Sequence, residues 1–258
     1  FAFRARWVGG TLSWDIERID SPISIQSPRG FFVRGGILYV FGQQNMYRYN
    51  GGTFEPLPNN TLYKYLYNNI NVAQRVKCMV WYNRSYNEIF FHYPSSSSME
   101  NDRAVIYSID EGWFSKIDSI DRTAADDTSV FGYSILASSD GGLYQSESGY
   151  NDDDSALNAF VRIAYQAAAN GKFYTEISGM ELDMLQDENL TIELWGKDRA
   201  RDTATLIESF TVGESDQQIE CDHDMRWRSW LIRSNVVDGF FRIGQGSLKE
   251  YVERGSEF

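Results

Sequence analysis

Residues 81–124, WYNRSYNEIFFHYPSSSSMENDRAVIYSIDEGWFSKIDSIDRTA, constrain the fold more than any other stretch of this chain. Two aromatic-rich apolar runs, 88–93 and 104–109, flank a Ser/Asn/Asp loop that contains Pro94, and an Asp-Glu-Gly-Trp turn leads at once into a third run. Short apolar runs bounded by turn residues read as consecutive antiparallel strands. Aromatics make up 15% of the residues and 16 are tyrosines, while apolar residues at helical spacing are scarce, so strands are expected almost throughout.

The same pattern recurs loosely. Residues 36–42 and 45–54 form one strand pair, in which Tyr47 and Tyr49 alternate with Met46 and Arg48 at period two. Further pairs fall at 76–82 with 88–93, at 103–108 with 113–117, and at 134–138 with 143–146. Hairpins repeating every roughly 25 to 45 residues read as propeller blades or as a meander that closes on itself. Between them, Leu62, Tyr65, Leu66 and Ile70 fit either one short helix capped by Asn60 or Thr61, or a connecting loop with core anchors.

The run Asp152-Asp153-Asp154 marks a solvated loop and a domain boundary. Beyond it, segments 176–185, 190–195, 205–212, 217–222, 227–234 and 240–250 alternate regularly, as in an antiparallel sandwich. The expected fold is therefore all-β: a propeller-like body over 1–155, followed by an antiparallel β-sandwich over 156–258.

Composition narrows the function. A net charge of −12, from 36 acidic and 24 basic side chains, argues against a protein that grips nucleic acid, because phosphate neutralisation needs clustered Lys and Arg. The two cysteines, Cys78 and Cys221, lack partners at metal-ligand spacing and suit a reducing compartment. The start FAFRARWVGG reads as neither a signal peptide nor a membrane span, and the absence of an initial Met suggests that residues precede Phe1. A soluble protein is expected, with no membrane insertion by this chain.

For chemistry, only His92 and His223 offer a neutral-pH base. His92 sits inside an aromatic strand and reads as structural. His223 lies between Asp222 and Asp224, but adjacent strand residues point to opposite faces and cannot converge on a metal. No nucleophile elbow, phosphate loop or dinucleotide fingerprint is present. No catalytic residue, metal or cofactor is assigned.

The pattern from Asn87-Glu88-Ile89-Phe90-Phe91-His92-Tyr93-Pro94-Ser95, through Glu100-Asn101-Asp102-Arg103 and Gly112-Trp113, to Arg122-Thr123-Ala124 resembles the tail hub or nozzle proteins of short-tailed bacteriophages. A weaker echo of the same family is Arg226-Trp227-Arg228-Ser229-Trp230-Leu231-Ile232-Arg233, followed by Gly239-Phe240-Phe241-Arg242-Ile243-Gly244. The resemblance implies a virion component and not an enzyme: a hexameric ring, assembled in the host cytoplasm, that continues the genome-ejection channel below the portal and adaptor. It also implies docking of tail fibre or needle proteins and transient contact with genomic DNA. His92, Tyr93, Pro94, Trp113 and Arg122 are then the structural motif. Trp113 follows the Glu111-Gly112 turn, where an aromatic staples neighbouring sheet elements, and it is expected to be mostly buried, its truncation to Ala costing about 3–5 kcal/mol. In the weaker echo, arginines alternate with Trp and Leu, so Arg226, Arg228 and Arg233 are expected on one strand face, away from a core that takes Trp227, Leu231 or their neighbours, and the four residues Arg226, Trp227, Arg228 and Arg233 form the candidate interface. A carbohydrate-binding or carbohydrate-active β protein is the alternative, and a scaffolding propeller the third reading.

Overall fold

Strands take up 51% of the chain and helix 7%, which places it in the all-β class. The computed structural model describes residues 2–11, 13–19, 23–58, 60–127, 130–152, 155–167, 171–234, 236–244 and 247–252. A hairpin of β1 (Ala2–Trp7) and β2 (Trp14–Ile19) opens the chain. A first sheet follows as a meander of β3 (Phe31–Arg34), β4 (Ile37–Phe41), β5 (Met46–Tyr49) and β6 (Phe54–Pro56). Between β3 and β4 the turn residues Gly35 and Gly36 have φ of 57° and 79°, the pair of positive values that a tight two-residue hairpin demands.

Helix α1 (Asn60–Asn69) and a 3-10 turn (Val72–Lys77) lead to the second sheet. That sheet is β7 (Met79–Asn83), β8 (Glu88–Tyr93), β9 (Arg103–Ser108) and β10 (Phe114–Ile117), again a meander. β8 and β9 pair across the Pro94 loop, from Glu88↔Ser108 to Tyr93↔Arg103, as consecutive antiparallel strands, and so join the two hairpins into one sheet. A third sheet has three strands, β11 (Ala124–Asp126), β12 (Ile135–Ala137) and β13 (Leu143–Gln145).

Every residue of β7 is buried, and so is β8 after its first residue. Period two explains how an antiparallel sheet can be apolar on both faces. Val80, Tyr82, Ile89, Phe91, Tyr93, Val105 and Tyr107 join a core with Tyr39, Phe41 and Met46 of the first sheet and Tyr63, Leu66 and Ile70 of the helical segment. The alternate residues Met79, Trp81, Phe90, Ala104 and Ile106 join a second core with Leu136 of the third sheet. The second sheet thus lies between the other two. Of the helical residues picked from sequence, Leu66 and Ile70 face the core, while Tyr65 is half-buried and turns to Asp118.

The chain divides into two units between Glu147 and Ser148, where the sequence put the break after residue 155. Asp152 does not separate domains: β14 (Asn151–Asp152) pairs with β15 (Ser155–Ala156) inside the second unit, and Asp153 and Asp154 lie outside the described residues. The remaining strands are β16 (Ala159–Arg162), β17 (Thr175–Glu181), β18 (Met184–Gln186), β19 (Leu190–Lys197), β20 (Thr205–Val212), β21 (Gln218–Met225), β22 (Trp227–Ser234), β23 (Phe241–Ile243) and β24 (Ser247–Val252). They order as β16-β22-β19-β20 and β21-β17-β24, with β18 and β23 as a ribbon. One core takes Leu190, Ile192, Leu194, Trp230 and Ile232 from the first of these sheets and Ile177, Met180, Ile219 and Met225 from the second. A bulge at Gly179 shifts the register of β17 against both neighbours. Its φ is 153°, and a Cβ there would collide with the Ile219 carbonyl oxygen, so only glycine fits.

Candidate functional site

The residues of the 87–124 motif are held by the second sheet. Period two sends His92 to one face and Tyr93 to the other, and both are buried. His92 ends a stacked series with Trp81 and Phe90, the Trp81–Phe90 centroids being 4.5 Å apart and the Phe90–His92 centroids 6.0 Å. The Trp81 indole Nε1 donates to His92 Nε2 at 2.9 Å. Burial, and then the positive charge of Arg122, pulls the His92 imidazole down to about 3. It is neutral at physiological pH and enclosed, so it packs and does not shuttle protons. Arg122 lies 4.1 Å over the Tyr144 ring of β13 and donates to the Asp121 carbonyl at 2.7 Å. The first of these contacts holds the segment that leads into β11 against the third sheet.

Pro94 opens the loop between β8 and β9, and this loop is braced from both ends. The Pro94 carbonyl accepts from Asn71 N–H at 2.9 Å. Ser95 donates to Asp102 through both its backbone N–H and its hydroxyl, each at 2.6 Å. Asn71 Nδ2 donates to the Ser98 carbonyl and Asn101 Nδ2 to the Lys77 carbonyl, each at 2.8 Å. A polar loop of this length is thereby fixed in one shape by its own side chains and by the 3-10 segment.

Trp113 corrects the sequence reading. It is 48% exposed and sits at the Glu88–Ser108 end of the sheet, opposite the end that carries Pro94. The residue that turns inward is its neighbour Phe114, whose ring is 4.9 Å from that of Tyr107. Alternation sends Trp113 to the opposite face from Phe114. Trp113→Ala is therefore expected to cost less than about 1 kcal/mol in urea unfolding, since half of its surface already faces water.

A cluster that the sequence did not single out ties α1 to β9 and β10. The Tyr65 hydroxyl donates to Asp118 Oδ1 at 2.7 Å, and Arg103 donates to the Tyr65 oxygen at 2.8 Å and to Asp118 at 3.3 Å. Lys116 pairs with Asp118 and lies 4.8 Å over the Tyr65 ring. Burial pushes the Asp118 carboxyl up, but hydrogen bonds from Lys116 and Tyr65 and the two cations outweigh it and hold the group below the usual carboxylate range. The hairpin register makes Asp118 the neighbour of Arg103, which is the one part of this cluster readable from sequence.

The arginine-rich strand also differs from expectation. Arg226, Arg228 and Arg233 do not share a face, because positions 228 and 233 differ by an odd number of residues along a period-two strand. Trp230 and Ile232 point to the core together with the Arg228 side. Trp227, Ser229, Leu231 and Arg233 lie on the other face. There Leu231, flanked across the ladder by Arg162 and Glu193, is buried although it faces away from that core. The cations of this region are tied down locally. Arg233 pairs with Glu193 at 3.6 Å, and Trp195 Nε1 donates to Glu193 at 2.8 Å. Arg162 lies 5.0 Å over Trp195, Lys197 lies 4.6 Å over Tyr165 and 5.7 Å from Trp227, and Arg226 lies 4.7 Å over Tyr174. These cations and rings form a polar-aromatic surface, with Arg233 paired to a carboxylate and Arg162, Lys197 and Arg226 set over rings.

Elsewhere, His223 contacts Glu208 at 2.6 Å, and Asp222 and Asp224 point to the opposite face of β21. Among the described residues no group of three or more His, Cys, Asp or Glu is placed to hold a metal ion. Burial pushes the Cys78 thiol up to about 12 and that of Cys221 up to about 11, so neither is an activated nucleophile. Burial raises the carboxyls of Glu88 and Glu147, and the Glu147 charge raises Glu88 further. Among the described residues no helix is long and apolar enough to cross a membrane. No protein-family model matches the chain, and no curated protein matches it.

Proposed function

We propose that this chain is a structural subunit of a short-tailed phage's tail hub or nozzle. In this reading it is no enzyme. Copies form a hexameric ring below the portal and adaptor, the genome leaves through the central channel, and loops receive tail fibre or needle proteins. The three stacked sheets act as blades of a propeller-like body and the second unit as an antiparallel sandwich.

The observation that carries the reading is the motif of residues 87–124, together with the braced loop at Pro94, since a docking platform needs loops of fixed shape. The charge of −12 supports the channel role: an acidic wall repels DNA and lets it pass with little sticking. Electron microscopy of the purified protein is expected to reveal symmetric rings with a central channel, and duplex DNA is expected to bind more weakly than about 100 μM even at low salt. A protein that stays monomeric at every concentration overturns the ring; tight, salt-sensitive DNA binding overturns the low-friction channel.

The second reading, a carbohydrate-active protein, is favoured by one observation, the raised carboxyls of Glu88 and Glu147. Glycosidases set one such raised acid against an ionised carboxylate across a groove. Hydrolysis of a cell-wall or capsular polysaccharide that Glu147→Gln abolishes would favour it over the hub.

A further inference from the structure

The β1–β2 hairpin has no role in the cores described above. Its register pairs Phe3 with Arg18, Ala5 with Ile16 and Trp7 with Trp14, so Phe3, Ala5, Trp7, Trp14 and Ile16 share one face, with Arg18 at its Phe3 end. That face is open: Phe3 is 62% exposed, Trp7 61%, Trp14 57% and Ile16 67%. On the opposite face Arg6 and Asp15 pair at 3.8 Å beside Glu17, and these too are exposed. A two-stranded hairpin wetted on both sides is marginally stable at best in water. Aromatic side chains bury about 150–250 Å² each, so the three here together with Ile16 offer on the order of 500 Å² of apolar surface, as much as the largest patch on a typical monomer.

A second apolar face lies on the first sheet, open along β3 and closed at its centre, where Val40 is buried. The ladders Phe31↔Val40, Val33↔Leu38, Leu38↔Tyr49, Val40↔Tyr47 and Tyr49↔Phe54 place Phe31, Val33, Leu38, Tyr47, Tyr49 and Phe54 on the side away from the core shared with the second sheet. None of these six is charged. Phe31 is 47% and Val33 55% exposed, and the Tyr49 and Phe54 rings stack at 4.5 Å.

We propose that the β1–β2 hairpin of one copy seats its Phe3, Trp7, Trp14 and Ile16 face on the Phe31, Val33, Tyr49 and Phe54 face of a second copy. Taken together the two faces bury on the order of 1,000 Å², the area that a specific interface has to reach. A foreign partner would have to match both surfaces separately, whereas a second copy supplies each for the other. Because the surfaces differ, every copy gives one hairpin and receives one, and such head-to-tail contacts close into rings when the rotation permits. The inference rests on the ring-subunit reading and names the surfaces that join its copies.

The test mixes two preparations, one carrying Ile16→Cys and the other Val33→Cys, both at exposed positions, and adds a short bis-maleimide. A covalent dimer of unlike chains is expected, and none when Ile16→Cys is mixed with unsubstituted protein, which carries only Cys78 and Cys221. In sedimentation equilibrium, the double variant Trp7→Ser, Trp14→Ser should self-associate about 30-fold more weakly, the effect of losing a buried tryptophan anchor. Both side chains are exposed, so the variant hollows no core, and an unchanged circular dichroism spectrum verifies the fold. Rings that persist in the double variant, with no crosslink forming between positions 16 and 33, overturn the hairpin contact and leave the ring-subunit reading standing. A protein monomeric at every concentration overturns both.

Discussion

Phe91→Ala is expected to destabilise the first unit by about 3–5 kcal/mol, the range for truncating a buried phenylalanine. Phe91 is fully buried on β8 and meets Phe41 of the first sheet edge to face at 5.6 Å. Its ring fills the space where the first and second sheets and α1 come together, so its loss removes the transfer energy and also opens a cavity that three elements must close at once. The second unit has a core of its own, built on Leu190, Ile192, Trp230 and their neighbours. Urea unfolding should accordingly lose stability in the transition that reports the first unit and leave that of the second within about 0.5 kcal/mol, as distant sites add independently. A cost below about 1 kcal/mol would mean that the sheets do not depend on one another through this ring. The contrast with Trp113→Ala separates inward from outward aromatics on one sheet.

That contrast also shows what the sequence carries and what it leaves out. Glu88–Tyr93 and Arg103–Ser108 are legible to the residue, because aromatic and β-branched runs end at turn residues on both sides. The break after Glu181 is not: Leu182 and Asp183 interrupt an apolar run without a Gly or Pro, and β17 ends there through a change of pairing partner. Packing between sheets is a long-range choice. The runs on either side of the Pro94 loop read as consecutive antiparallel strands and do pair, but local pattern fixes direction and period and does not say which sheets then pack face to face. Trp113 and the arginines of β22 fail for a simpler reason. The turn before Trp113 suggested burial, and a loose alternation of arginines with Trp and Leu suggested a shared face for Arg228 and Arg233, whereas alternation counted strictly from Phe114 and from Trp230 gives the observed sides. The Tyr65 cluster depends on where α1 lands, which only the folded core decides.

His92 leads to the other large effect, an acid lability of the first unit. In the unfolded chain an imidazole titrates near about 6.5, but folded His92 accepts a proton only near 3, because burial and the Arg122 charge disfavour the cation. Between these values the unfolded state binds a proton that the native state refuses, so the stability present above about pH 6.5 is lost as pH falls, by up to about 1.4 kcal/mol per unit and roughly 4–5 kcal/mol in all. Trp81 donates to Nε2, so the neutral ring carries its proton on Nδ1, and protonation at Nε2 would also break that bond. Acidic side chains titrate over the same range, and the carboxyls raised by burial, Glu88 and Glu147, act with the opposite sign. A difference measurement removes them. His92→Gln keeps an acceptor within reach of Trp81 and cannot be charged, so the stability of the wild type minus that of the variant should shrink steadily from about pH 7 to about pH 3.5. A difference that stays constant across that range would show that His92 gains its proton as readily in the fold as out of it, and that the stack of Trp81, Phe90 and His92 is open to water after all.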